Sequence, residues 1–138
     1  MPNKVKKILW RACREALPVK MNLVCRRVIE EDVCSHCNLK AEDGFHSLWD
    51  CSELSAIWET DIMWLFCRSK TFSNFYELTR FVLESDRRSE LFASITWTIW
   101  FRHNQLRTSN KAFLLSQVIP LATQMLQEFN EVQPTTPV

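Results

Sequence analysis

Glycine is almost missing from this chain: Gly44 is the only one among 138 residues. Tight hairpins draw on Gly or Asn-Gly to reach positive φ, so helix is favoured over strand. Long apolar runs are missing too. The nearest approach to the roughly 18 residues that a membrane span requires is the interrupted stretch at residues 91–101. The opening segment MPNKVKKILWRACREALP is basic but lacks the continuous apolar stretch and small-residue cleavage site of a secretory signal. An intracellular protein with no membrane attachment is therefore expected. In that setting the six cysteines are read as metal ligands or buried thiols before they are read as disulfides.

What is present is a chain that is 46% hydrophobic and 12% aromatic, with six Trp, enough for one small domain to bury a core. Its net charge of +1 hides strong zoning. Residues 1–27 carry eight Lys or Arg against Glu15 alone, and residues 28–62 carry nine Asp or Glu against Lys40 alone. The basic end suits phosphate; the acidic middle does not.

Helical periodicity organises most of the chain. Val5, Ile8, Leu9, Ala12 and Ala16 define an amphipathic helix that Pro18 is expected to stop, with Lys4, Lys7, Arg11 and Arg14 forming a basic stripe on its other side. Asn22 is placed to cap a short second segment. Asp50 with Glu53, and Asn74 with Glu77, have capping-box character. The first precedes an apolar stripe of Leu54, Ile57, Trp58, Ile62 and Leu65; the second precedes Phe75, Leu78 and Val82. The segment LFASITWTIWF is apolar on nearly all sides and is expected to be the most buried helix. Ser109 or Asn110 is placed to cap a last helix bearing Leu115, Val118, Ala122, Met125 and Phe129, which Pro120 is expected to kink or divide. The fold class is thus mainly α: a helical domain over residues 1–66 organised around a CCHC zinc knuckle, a Trp-rich helical extension over 67–130, and a flexible tail over 131–138.

The knuckle reading rests on CSHCNLKAEDGFHSLWDC, residues 34–51, with the spacing C-x(2)-C-x(8)-H-x(4)-C. Two cysteines two residues apart grip one ion from a tight turn whose amides donate to the sulfurs, and the loop lets a second pair close a tetrahedron. Cys34, Cys37, His46 and Cys51 are the expected ligands of a structural Zn²⁺. His36 lies inside the C-x-x-C turn, where ligation would strain the loop; Cys13, Cys25 and Cys67 are expected to be core thiols, with Cys25 nearest the site. His46 and Cys51 are five residues apart, about 140° around an ideal helix, so a break near Trp49 and Asp50 is required.

These residues resemble the zinc-binding domain that lies downstream of the reverse transcriptase in plant LINE-type (non-LTR) retrotransposon polyproteins. The likeness runs over residues 4–58, through KVKKILWRACREALPVKMNLVCRRVI, CSHC and EDGFHSLWDCSELSAIW. It continues in WTIWFRHN at residues 97–104, similar to the Trp-rich segment that precedes an RNase H-like domain in such polyproteins. His103 replaces the Arg usual before Asn104, and Asp43-Gly44 replaces a Thr-containing stretch. The resemblance implies a retroelement-derived module truncated before the RNase H-like domain. Its implied partners are RNA or DNA, bound without sequence preference, and reverse transcriptase or RNase H-like domains.

The residues expected to meet phosphate are Lys4, Lys7, Arg11, Arg14, Arg26 and Arg27, assisted by Lys20. The competing expectation is a protein-interaction or scaffold module that docks through the aromatic segment at residues 91–101. Neither a nucleophile–base pair nor an open metal position is identifiable, so neither catalysis nor a small-molecule substrate is expected.

Overall fold

The structure is a computed structural model that describes residues 2–84, 88–109 and 111–132. It is mainly α, in the order α1 (Asn3–Cys13), α2 (Lys20–Cys25), α3 (Ser55–Trp58), α4 (Ile62–Arg68), α5 (Phe75–Glu84), α6 (Ser89–Ser109) and α7 (Val118–Val132). Among the described residues there is no strand, only one isolated antiparallel bridge between Val33 and Ala41. No helix among them is long and apolar enough to cross a membrane.

The apolar face of α1 behaves as its periodicity dictates, burying Val5 and Ala12 with Ile8 and Leu9 partly covered. Its end differs from expectation. The helix stops at Cys13, well before Pro18, because Glu15 takes a left-handed conformation with φ 55°. Ala16 N–H then donates to Arg11 O at 2.8 Å and Glu15 N–H to Ala12 O at 3.1 Å, the paired bonds of a Schellman motif. The same device ends α2, with Arg27 at φ 59° and Val28 N–H donating to Leu23 O at 2.9 Å. Asn22 lies inside α2 instead of capping it. Its amide donates to Glu15 O and Leu17 O, at 3.0 and 2.6 Å, and so fastens the α1–α2 turn.

The apolar stripe expected from Leu54 to Leu65 is interrupted. Leu54, Ile57 and Trp58 are buried, but Asp61 accepts from Met63 N–H at 2.9 Å and starts α4 in a new phase. Ile62 is consequently 85% exposed, and Trp64 and Cys67 face inward in its place. The cap of α5 matches its pattern, with Glu77 N–H donating to Asn74 Oδ1 at 2.9 Å while the Glu77 carboxylate accepts from Ser73 N–H at 2.7 Å.

Helix α6 is the central element and the most thoroughly buried, covering Phe92 to Thr96, Thr98, Ile99 and Trp100, with α7, α1 and α5 packed against it. Ser109 closes α6, its hydroxyl donating to Gln105 O at 2.8 Å, and Asn110 lies outside the described residues. The last helix begins only at Val118, after a 3-10 turn at Leu115–Gln117. Pro120 thereby falls in its first turn, where an absent amide costs nothing, and α7 runs on undivided to Val132. Of the expected tail, residues 133–138 lie outside the described residues.

One hydrophobic cluster runs from Ala12 to Ala122 and has Phe92 at its aromatic centre. Ring centroids of Trp49, Trp58, Trp64 and Phe75 lie 5.7 to 6.4 Å from that of Phe92. The segment that carries the CCHC residues is therefore seated on α6 by its own tryptophans.

Candidate metal centre

The first two cysteines sit on a loop closed by the Val33–Ala41 bridge, where Cys34 N–H donates to Lys40 O at 2.8 Å and Glu42 N–H to Asp32 O at 2.7 Å. Asn38, at φ 57°, turns the chain after Cys37, and its amide donates to Cys34 O at 2.9 Å. Amides of His36 and Cys37 point at the Cys34 sulfur, and those of Leu39 and Lys40 at the Cys37 sulfur. This is the thiolate-directed turn that the C-x-x-C spacing predicts.

His46 and Cys51 come from a short helical passage that starts at Asp43, whose carboxylate accepts from His46 N–H at 2.6 Å. Asp43 therefore acts as a cap. The neighbouring Gly44 has no positive φ, and a Cβ added there would meet nothing within 4 Å. Residues His46–Asp50 form a π-helical turn in which Cys51 N–H donates to His46 O at 2.9 Å. Because a π-turn bonds each residue to the fifth one on, it brings the two donors toward one side, which an α-helix cannot do. Cys51 itself is extended, with φ −59° and ψ 131°, and separates this turn from the 3-10 turn at Ser52–Leu54. The required break thus falls at Cys51, and Asp50 makes no cap.

These elements bring Cys34, Cys37, His46 and Cys51 together, with all four donor atoms within 4.8 Å of one another. Cys34 Sγ and Cys51 Sγ are 3.9 Å apart, and Cys37 Sγ is 3.3 Å from His46 Nε2. A tetrahedral zinc ion with bonds of about 2.3 Å to sulfur and 2.0–2.1 Å to nitrogen sets edges of about 3.8 Å and 3.6 Å. The donor set therefore fits a zinc-sized ion. Three of the four donor residues are buried.

The thiols are tuned unequally. Amide donation from Leu39 above all, and from Lys40, lowers Cys37 to about 6. Burial pushes Cys51 up to about 12 and raises Cys34 as well. On the far side of the imidazole, His46 Nδ1 is buried without a hydrogen bond and lies 3.8 Å from Asp50 Oδ2, which Lys40 Nζ holds at 3.2 Å.

Two supports carry no local sequence signal. Arg68 of α4 donates to Trp49 O and Cys51 O, both at 3.0 Å, and so anchors the π-turn. Glu42, fully buried, accepts from Lys20 N–H at 3.1 Å and pairs with His103 Nε2 of α6 at 3.2 Å. Burial opposes ionisation of Glu42, but His103 and Lys20 prevail and hold its carboxyl below the usual range. His103, an oddity in the sequence, is thus the partner of a buried acid.

The remaining sequence candidates divide. His36 stands outside the donor set, its ring centroid 5.5 Å from that of His103. Cys67 is buried and Cys13 half-buried, while Cys25 is exposed and is not a core thiol. Lys4, Lys7, Arg11, Arg14, Arg26 and Arg27 are all exposed. Lys20 is diverted: its Nζ donates to Val33 O at 2.9 Å and to Ser35 Oγ, clasping the cysteine loop.

No curated protein and no solved structure matches the chain. Residues 1–58, which hold the basic helix, all four donors and Trp58, match the model of a family described as zinc-binding in reverse transcriptase. In that segment, the chain is similar to a reverse transcriptase zinc-binding domain.

Proposed function

We propose that the protein is a retroelement-derived module in which Cys34, Cys37, His46 and Cys51 hold a structural Zn²⁺, and that the helices so fixed present a basic face to RNA or DNA without sequence preference. The observation that carries this reading is the convergence of four donors at zinc-like separations inside the segment that matches the zinc-binding family. The wider setting that fits it is a plant LINE-type polyprotein, with the reverse transcriptase and RNase H-like domains as ancestral neighbours. When bound, the ion supplies coordination strength to the fold. Four protein ligands fill a tetrahedron and leave no position for water, which supports a role without catalysis.

The electrostatic part rests on α1, where Lys4, Lys7, Arg11 and Arg14 line the exposed side and no acid occupies the first turn. If three or four phosphates are engaged, duplex affinity falls with salt at a log-log slope of about −3. The test is a salt series with labelled RNA, single-stranded DNA and duplex, repeated with Lys7, Arg11 and Arg14 changed to Ala. Loss of affinity and a shallower slope in the triple variant are expected. Unchanged binding removes this face from the account. A scaffold role is the second reading, favoured by a groove between α1 and α5 where Trp10, Tyr76 and Leu83 are exposed.

A further inference from the structure

The aromatic residues of the CCHC segment are committed to the core. Trp49 and Trp58 are buried, and Phe45 is half-buried against the same cluster. Exposed aromatic rings lie instead on α1 and on the middle of α6, as well as at Phe66 of α4 and Tyr76 of α5. Trp10 is 60% exposed and Phe101 42% exposed. Trp97 and Phe101, one turn apart on α6, stack with centroids 5.1 Å apart and planes inclined by 17°.

Cations interleave with these rings. Lys4 Nζ lies 4.2 Å from the centroid of Trp97, and the Arg14 guanidinium lies 4.6 Å from that of Trp10. A shallow hollow lined by Lys4, Lys7, Ile8, Trp10, Arg11 and Trp97 joins the two helices, and none of the six is acidic. An apolar protein face laid here would strip water from several cations without pairing them, which is costly. A ligand with flat π-faces and a phosphate at every repeat satisfies both features together. A duplex keeps its base faces stacked inside, whereas a single strand can present them.

We propose that the α1–α6 surface is a stacking platform for single-stranded nucleic acid, with bases laid on Trp10 and Phe101 and phosphates met by Lys4, Lys7, Arg11 and Arg14. This rests on the nucleic-acid reading above and adds the strand state and the residues that select it. Stacking on π-faces is indifferent to the sugar, so RNA and DNA single strands are bound comparably.

The test measures affinity of the zinc-loaded full chain for a mixed-sequence single strand, as RNA and as DNA, and for the matching duplex. Trp10→Ala and Phe101→Ala are compared with Lys7→Ala, each variant first checked for helicity and zinc content. Trp10 is mostly exposed, whereas Phe101 also stacks on Trp97, so Phe101→Leu, which keeps apolar bulk without an aromatic face, replaces Phe101→Ala should that variant lose helicity. The expected result is about a tenfold loss for single strands in each aromatic variant, with duplex affinity unchanged, and a loss for both strand states in Lys7→Ala. Single-strand binding that survives both aromatic substitutions, while Lys7→Ala still weakens it, overturns the platform and leaves the basic-face reading standing. Absence of binding to any nucleic acid at low salt removes both. Self-association that Trp10→Ala abolishes, with single-strand affinity untouched, overturns the platform and assigns the patch to a second copy of the chain.

Discussion

Asp50 lies 3.8 Å from His46 Nδ1 and is held there by Lys40. A ligating imidazole commonly depends on such a carboxylate to fix its tautomer and orientation, and loss of that partner typically costs 10–100-fold in metal affinity. Asp50→Asn is therefore expected to weaken zinc binding by about tenfold or more, measured by competition with a chromogenic chelator. An unchanged affinity contradicts a role for Asp50 in orienting the His46 ring. At this scale the clustering of Cys34, Cys37, His46 and Cys51 is legible from spacing, because the four share one short segment. Their supports were not. Arg68 and the Glu42–His103 pair reach the site from distant parts of the chain, and no local pattern registers a contact made only after folding.

Helix ends show how a chain with one glycine turns corners. Glu15 and Arg27 occupy the C′ position of their Schellman motifs at φ 55° and 59°, a conformation that disfavours any residue with a Cβ. Glu15→Gly and Arg27→Gly are each expected to raise stability by up to about 1 kcal/mol, seen as a higher urea midpoint at unchanged slope. A lower midpoint contradicts the motif. The sequence shows where a helix runs better than where it stops. Asn74 with Glu77 is a local signal and is realised, whereas the α1 terminus depends on Glu15 accepting a conformation that its type does not advertise. Ile62 illustrates the same limit: its spacing from Trp58 is helical, but the cap at Asp61 resets the phase and turns it outward.

Across the molecule, an ion held by the four donors is expected to make folding and metal binding one equilibrium. The CCHC segment reaches the core through Trp49 and Trp58, which pack on Phe92 of α6, so fixing the four donors also fixes the seat of the central helix. The pH dependence follows from the thiols. In the folded site burial raises Cys34 and Cys51, Cys51 to about 12, while amide donation lowers Cys37 to about 6. Zinc takes thiolates, and in the metal-free chain that this coupling leaves unfolded the three thiols stand near their ordinary value of about 8.5, so binding at pH 7 displaces up to about three protons per chain and the affinity rises with pH. Calorimetry in buffers of different ionisation heat reads this number directly; zero released protons contradicts the cysteine ligation.

The most direct measurement is native mass spectrometry of the purified chain before and after exhaustive chelation, paired with circular dichroism on the same samples. The account predicts one zinc ion per chain, and loss of helical signal and of cooperative melting once it is removed, both restored when zinc is added back. A chain that carries no metal as purified, or that melts identically without it, contradicts the claim that Cys34, Cys37, His46 and Cys51 hold the fold together through an ion.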